Sequence, residues 1–496
     1  MSVVTDDLLR RDIRLLDDKL DAVIVEQAGP EASQLVADIR RLARERRLGK
    51  HEAESLLATR IAGLSIGQAR IVTRSLSIFF DLANIAEDQQ RVRVLRQRER
   101  DLHPKPLGES LAAAIQELAA DGMSAPAMQQ ALNTVAIELV FTAHPSEAKR
   151  RSIRAKLRRM RKNLHQLHSD NLLPREREEL EGDLHTELMI LWETEFLKPS
   201  RPTVLDEVDR GLSIMPRLWE AVPKVYESMR RGLESAYPGT PFEIPVFLTF
   251  GSWMGGDRDG NPFVTTEITE STLLRLRAAT IKAHLAWCQR LYEMLTISLH
   301  EAHGSEPLQQ QLLSAAQEWP ALASALEQIP PHEAYRRWLR MIEFRLQASD
   351  MRHLDDAQKP GSYQSSDALL HDVSTLVDCL DHDHGLSADS PVRRWLDLVR
   401  TFGLHMTRLD VRQDARAYED IMADIFEAAG IEPADTFRAR DNNARADILN
   451  STMGTVGRLP EENLKKLSRD TIRLFSLLQR AAARFGPECL GGAIVS

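Results

Sequence analysis

Residues 245–262 read PVFLTFGSWMGGDRDGNP, an apolar run that passes directly into a glycine-rich polar segment. The apolar part, Pro245–Phe250, has the length and composition of a buried strand. The polar part holds four glycines, which indicate sharp turns or a close approach of the backbone to a ligand. A strand that ends in such a segment is typical of α/β proteins, whose chemistry lies at the carboxyl ends of the strands.

Three further apolar runs predict strands, at Val135–Thr142, Leu404–Val411 and Gly492–Val495. Stretches of mainly helical periodicity separate them, which favours a parallel sheet or barrel over an antiparallel one. A barrel of this type needs eight strands, and about four are visible. We therefore predict a mostly α protein with a parallel α/β barrel core, an incomplete (half) TIM-type barrel surrounded by many helices.

Helical spacing dominates the rest of the chain. It begins at Leu8 and is stopped by Gly29-Pro30, and comparable helical patterns cover roughly 31–60 and 207–233. We predict one domain over 1–496, in which a helical amino-terminal region, 1–130, packs on the barrel.

Composition narrows the class of protein. Hydrophobic residues make up 43% and charged residues 28%, and 73 acidic against 64 basic residues give a net charge of −9. This balance is that of a globular protein and argues against nucleic acid as the main partner. No apolar run approaches the roughly 20 residues that cross a bilayer, and the charged start does not resemble a signal peptide. The three cysteines lie far apart, so we expect a cytoplasmic protein without disulfides.

The first predicted strand ends in FTAHPSEAKRR, residues 141–151. The proline after His144 biases this histidine away from helical geometry, and the next serine is a good N-cap for a helix. His144 would then lie beside a helix amino terminus that carries Arg150 and Arg151, which is a natural anion site. Such a histidine can move a proton or stabilise developing negative charge, although a hydrogen-bonded loop histidine explains the same pattern.

The glycine-rich segment lacks the Gly-Lys-Ser/Thr of a phosphate-binding loop and the glycine that an EF-hand requires after its third ligand. Its Trp253-Met254 pair is hard to explain as core and favours a small apolar pocket beside charged groups. A purely structural turn remains the alternative.

The third predicted strand carries the stretch RLDVRQ, in which alternation places Arg408, Asp410 and Arg412 on one face and Leu409 and Val411 on the other. Charged side chains on a barrel strand need partners, so we predict a paired network. Arginine suits phosphate and carboxylate because its planar fork binds two oxygens, but an ordinary structural ion-pair network remains the alternative.

A fourth pattern is weaker. Cys379, His382 and His384 could suggest a metal site, but the stretch DHDHG is more typical of a polar loop.

Taken together and in this order, the three clusters resemble the phosphoenolpyruvate carboxylase family. FTAHPSEAKRRS is similar to its TAHPTE-x-x-RR signature, with Ser146 where threonine is usual. GSWMGGDRDGNP matches its glycine-rich signature in full, and RLDVRQD resembles its RLDIRQ strand. LLRRDIRLLDDKL, LWETEF and TVLDEVDRGL also resemble the family, so the similarity runs from end to end of the chain.

The resemblance implies a lyase that forms oxaloacetate and phosphate from phosphoenolpyruvate and bicarbonate through carboxyphosphate and the pyruvate enolate. It implies His144 and Arg408 as catalytic residues, the histidine in carbon dioxide transfer and the arginine in holding phosphate or carboxylate. Trp253 would line the pocket around the methylene end of the substrate. We predict further substrate contacts from Arg150, Arg151, Gly255, Gly256, Asp257, Arg258 and Arg412.

Family members continue for several hundred residues beyond the point that corresponds to Ser496. The resemblance therefore implies magnesium or manganese as cofactor, with its acidic ligands in that carboxyl-terminal half and none in this chain. We expect the chain to be truncated and inactive alone, and the whole protein to be a homotetramer. The alternative is a non-catalytic helical protein that binds a metabolite or a partner through the same anion pocket.

Overall fold

A computed structural model describes residues 2–142, 150–169, 171–196, 202–299, 306–385, 390–455, 457 and 459–496. The helices in these residues are α1 Ser2–Ala28, α2 Pro30–Arg47, α3 His51–Ala62, α4 Ile66–Leu102, α5 Leu111–Ala120, α6 Ala125–Leu132, α7 Arg151–Gln166, α8 Pro174–Glu193, α9 Val204–Leu212, α10 Met215–Ala236, α11 Thr266–Met294, α12 Glu306–Glu318, α13 Pro320–Leu326, α14 Ala334–Ala348, α15 Ser366–His384, α16 Pro391–Phe402, α17 Ala415–Ala428, α18 Ala434–Ala439, α19 Asn442–Thr452 and α20 Lys466–Phe485. Short 3₁₀ turns cover Glu461–Asn463 and Pro487–Cys489.

Four strands form one sheet: β1 Ile137–Phe141, β2 Leu248–Ser252, β3 Arg408–Gln413 and β4 Leu490–Val495. Their spatial order is β1-β2-β3-β4, and every neighbouring pair is parallel. The predicted combination of many helices with a small parallel sheet is therefore confirmed. Whether the sheet is half of a barrel stays a prediction.

The chain packs as two compact units, one of Met1–Gly108 with Pro145–Arg201 and one of Glu109–His144 with Pro202–Ser496. The first unit is helical and encloses an apolar core to which α1, α2 and α4 contribute Leu20, Val36 and Ile78. On α7, Ile153, Met160 and Leu164 are fully buried, so the basic residues of this helix occupy its other faces. The single domain over 1–496 and the helical region over 1–130 stay predictions.

The second unit contains the sheet. One face of the sheet is apolar, and its Phe250 ring stacks on Phe402 of α16 and on Phe141 of β1. The other face carries carboxylates, because a Cβ built on Gly251 would lie 3.3 Å from Glu138 Oε1 and 3.8 Å from Asp410 Oδ2. The sheet thus has a buried apolar side and a polar side.

Several predicted boundaries were wrong. The range 31–60 is two helices, since the chain turns at Gly49 with φ 82°, and 207–233 is also two helices, interrupted after Leu212. The residues Leu404–Thr407 are buried but precede β3 rather than belong to it. No helix among the described residues combines the length and apolar character that crossing a bilayer requires.

Candidate functional site

The glycine-rich segment leaves β2 at Ser252 and folds back onto β3. The amides of Gly256 and Asp257 both donate to the Trp253 carbonyl at 2.9 Å, which makes a tight turn. The Arg258 amide then donates to the Arg412 carbonyl at 2.8 Å, and the Arg412 amide donates to the Gly256 carbonyl at 3.1 Å. These two bonds fasten the segment to the carboxyl end of β3.

Two of its glycines are required by close packing inside the protein. A Cβ on Gly255, whose φ is +83°, would lie 2.1 Å from Thr272 Oγ1 of α11, and one on Gly256 would lie 2.0 Å from the Asp410 carbonyl oxygen. Any larger residue would push the segment away from α11 and β3. The predicted substrate contacts of Gly255 and Gly256 stay predictions, since these approaches already account for both glycines.

Arg412 joins the segment to the strand through its side chain. Its guanidinium carbon lies 5.0 Å from the centre of the Trp253 ring, within the range of a cation–π contact. One nitrogen, Nη2, donates to Asp259 Oδ2 at 2.7 Å, and Asp257 Oδ2 lies 3.7 Å from Nη1. Partial burial raises the pKa of Asp257, and Arg412 opposes that rise. The predicted network is confirmed for Arg412.

The other two charged residues of β3 behave differently. Asp410 is buried and its Oδ1 accepts the Gly492 amide at 2.8 Å. Arg408 is exposed and lies in register with Gly251 of β2, and its side chain makes no hydrogen bond or ion pair with a described residue. It lines a pocket of about 250 Å³ together with Arg400 and Glu488. The predicted pairing of Arg408 is not seen among the described residues and stays a prediction.

Arg258 points away from this cluster, into the protein. It is 7% exposed, donates through Nη1 to Asp470 Oδ2 of α20 at 2.7 Å, and through Nη2 to Thr266 Oγ1 at 3.2 Å. Thr266 Oγ1 in turn donates to Asp470 Oδ1 at 3.0 Å. Burial lowers the pKa of Arg258, and Asp470 counteracts this. Arg258 thus ties the glycine-rich segment to α11 and α20, and its predicted substrate contact stays a prediction.

The first sequence cluster is only partly described. His144 lies outside the described residues. Arg150 immediately precedes α7 in the first unit and donates through Nη1 to the Glu195 carbonyl at 3.2 Å. Arg151 begins α7, and its side chain is outside the description. The structure therefore brings together Trp253, Asp257, Asp259 and Arg412, whereas Arg408 lies at the amino end of β3, four residues before Arg412.

Asp470 and Thr266 were missed by the sequence reasoning. Asp470 follows Arg258 by 212 residues and belongs to an ordinary amphipathic helix, so no motif marks it. Thr266 opens α11 only four residues beyond Pro262, but nothing distinguishes it from a helix-capping threonine.

In the part of the chain that the structure describes, no three or more His, Cys, Asp or Glu side chains are grouped to hold a metal ion.

The prediction of a polar loop at DHDHG was wrong. Residues 381–384 form the last turn of α15, and Gly385 ends the helix with φ 58°. The Tyr335 hydroxyl donates to Asp383 Oδ2 at 3.0 Å and lies 3.2 Å from His384 Nε2.

Comparison with known proteins gives a consistent result. The family model described as phosphoenolpyruvate carboxylase matches residues 9–496. A phosphoenolpyruvate carboxylase of Roseiflexus castenholzii is 34% identical over 498 residues, which cover 98% of this chain and 53% of the relative. One of Rhodothermus marinus is 33% identical, over 98% of this chain and 52% of the relative. The chain spans about half the length of the curated relatives it matches.

Proposed function

The chain belongs to the phosphoenolpyruvate carboxylase family, and on that premise we propose that the protein carboxylates phosphoenolpyruvate with bicarbonate to give oxaloacetate and phosphate. The observation that carries the proposal is the contact between Trp253 and Arg412 at the carboxyl ends of β2 and β3. It places an apolar ring beside a fixed cation, which suits a small anion with an apolar methylene end.

We assign the reaction as follows. Arg408, which has no partner among the described residues, holds phosphate or carboxylate oxygens as charge moves during formation of carboxyphosphate and the enolate. Arg412, positioned by Asp259, binds the substrate near Trp253, and Trp253 keeps water from the methylene carbon, which would otherwise be protonated to pyruvate. His144 assists carbon dioxide transfer, and Arg150, Arg151, Asp257 and Arg258 with Gly255 and Gly256 complete the proposed substrate contacts.

We propose that the four strands are one side of an eight-stranded α/β barrel. Two features support this. The spatial order follows the chain order with every pair parallel, as in successive barrel strands. The polar face, with Glu138 and Asp410 beside Gly251, would then be the inner face.

The described residues do not fit the magnesium or manganese that the family uses. Asp257 and Asp259 are engaged by Arg412, and in the described ranges no three or more His, Cys, Asp or Glu side chains are grouped to hold an ion. We place the metal ligands in the carboxyl-terminal half of the family and assign this chain no step that involves the ion. We also propose the homotetramer and the cytoplasm, the latter because all three cysteines are free and buried.

The test is an assay of oxaloacetate formation with magnesium and bicarbonate. We expect no turnover by residues 1–496 alone, and turnover when the carboxyl-terminal half of the R. castenholzii relative is added. Arg412→Gln should lower kcat/KM by about 100-fold or more, whereas Arg416→Gln, which removes an exposed arginine just beyond the same strand, should leave it unchanged.

Two results would count against the proposal. Robust turnover by the chain alone would contradict the placement of the metal ligands. An inactive mixture, combined with phosphoenolpyruvate binding to the chain that Arg412→Gln does not weaken, would favour the non-catalytic binding protein.

A further inference from the structure

Arg277 on α11 is a buried cation without an ion-pair partner in the part of the chain that the structure describes. It is 3% exposed, and its Nε and Nη1 atoms have no hydrogen-bond partner among the described residues. Its guanidinium carbon lies 4.6 Å from the centre of the Phe485 ring. A cation–π contact offsets only part of the cost of removing a charge from water, which amounts to several kcal/mol. Such a side chain is normally completed by an anion.

The electrostatic surroundings do not supply that anion. Burial lowers the pKa of Arg277 to about 10, the Cys489 thiol opposes this shift, and Arg484 adds to it. Glu488 and Asp350 oppose the shift more weakly, and neither forms an ion pair with Arg277. The charge is therefore under-compensated by the described residues.

Arg277 lines a cavity of about 580 Å³. Three further cations line it, Arg352, Lys359 and Arg484, against two carboxylates, Asp350 and Asp356. Asp356 is already engaged, because its Oδ2 accepts the amides of Arg352 and His353 at 2.9 Å. Four cations less two carboxylates leave an excess of two positive charges, which matches a phosphate dianion.

The cavity is distinct from the Trp253 cluster. Phe485, over which Arg277 lies, ends α20 just before β4 begins at Leu490. The cavity is therefore at the amino ends of the strands, whereas Trp253 and Arg412 are at the carboxyl ends.

We propose that this cavity is a binding site for a phosphate group, free or as part of a small phosphorylated metabolite, with Arg277 as its buried anchor. Arg484 is held at the wall by its hydrogen bond to the Asp356 carbonyl at 2.7 Å. Lys359 and Arg352 provide exposed cations at the rim. The volume leaves room for a short polar chain beyond the phosphate.

The experiment is thermal unfolding and calorimetric titration of the chain with inorganic phosphate, with glycerol phosphate as the ester, against chloride at equal ionic strength. We expect saturating phosphate to raise the Tm by about 1–2 °C above chloride. Tighter binding of glycerol phosphate identifies an ester as the ligand, and equal binding identifies free phosphate.

Substitution of Arg277 gives the sharper test. Arg277→Met should leave the Tm in phosphate-free buffer unchanged or raise it, because an uncompensated buried charge is replaced by an apolar side chain of similar length. The same variant should lose the phosphate response. A purely structural role for Arg277 would instead lower the Tm and leave the response intact, and that result would overturn the proposal.

Two further variants keep the proposal falsifiable if Arg277→Met fails to fold. Lys359→Gln should weaken phosphate binding roughly tenfold, which is the loss of one charge-assisted hydrogen bond. Arg480→Gln removes an equal charge from α20 outside the cavity, where Arg480 pairs with Asp355, and should bind as the wild type does. Equal effects of the two variants, or a wild type that responds to phosphate no more than to chloride, would refute the site.

Discussion

Two regions of the second unit bury an arginine to nearly the same extent, and only one of them supplies a partner. Arg258 is 7% exposed and pairs with Asp470 and Thr266. Arg277 is 3% exposed, and among the described residues its guanidinium has only the face of Phe485. Burial is the first cause of a lowered pKa in both. The difference shows that burial of a cation does not itself indicate a role. A buried arginine with an ion-pair partner holds a loop in place, whereas a buried arginine without such a partner requires an anion from elsewhere.

The largest expected effect comes from removing the ion-pair partner of Arg258, so that this arginine becomes a buried cation without a carboxylate, like Arg277. Asp470→Ala removes the carboxylate and leaves a buried guanidinium unpaired. We expect the free energy of unfolding to fall by roughly 3 kcal/mol, measured by urea denaturation.

The control for this prediction is an exposed ion pair made by the same helix. Asp355→Ala breaks the pair between Asp355 and Arg480 of α20 and should cost less than about 1 kcal/mol. Adding Arg258→Met to Asp470→Ala should restore most of the loss. If Asp470→Ala costs no more than Asp355→Ala, the contrast between the two arginines is not energetic.

The pH dependence of stability extends the comparison to buried histidines. A buried histidine can lose its proton, whereas a buried arginine keeps its proton. Burial lowers the pKa of His284 to about 4 and that of His405 to about 3. Both are therefore neutral in the folded protein, and their unfolded pKa is near 6.5. The resulting stability is complete above pH 6.5 and is lost as the pH falls below it, by about 1.4 kcal/mol per unit for each histidine.

His284→Gln isolates one of these contributions. The glutamine amide can replace both hydrogen bonds of the ring, to the Gly403 carbonyl and from Trp395 Nε1. Urea denaturation at pH 7.5 and pH 5.5 should show an acid loss smaller by about 1.4 kcal/mol in the variant. An identical loss in the two proteins would mean that His284 is already charged when folded.

The smallest effect is expected where the pair is partly exposed. The side chains of Arg412 and Asp259 are 26% and 27% exposed, so Asp259→Asn should cost only about 0.5–1 kcal/mol. It should nevertheless change the fluorescence of Trp253, because Arg412 then loses its anchor beside the indole. A stability loss as large as that of Asp470→Ala would place this pair in the same class as Arg258.

Much of the sheet could be predicted because its strands are short apolar runs separated by helices. The boundaries could not. Leu404–Thr407 are as apolar and buried as a strand, but the His405 amide donates to the Phe402 carbonyl at 2.9 Å, which is a turn. An apolar run indicates that a segment is buried, but it does not determine the backbone conformation of that segment. Helix α19 has no buried residue, and its Ile448 and Leu449 are only partly buried, so its periodic signal is weak.

The local part of the candidate site was equally predictable. Alternation on β3 and the glycine-rich segment identified Arg412, Asp257 and Trp253, and the structure brings these three together. The roles of His144, Arg408 and the other site residues remain proposals. Contacts between residues far apart in the chain leave no local pattern, and for this reason neither Asp470 nor the burial of Arg277 could be anticipated.

The two edge strands of the sheet, β1 and β4, set the direction of a strand that would continue it. Within the described residues β1 and β4 each pair with one neighbour only, and Leu139 and Val495 at these margins are 48% and 59% exposed. Successive strands of an α/β barrel all run the same way. A polypeptide that continues the proposed barrel at either margin must therefore arrive with one polarity, which is set by β1 and β4.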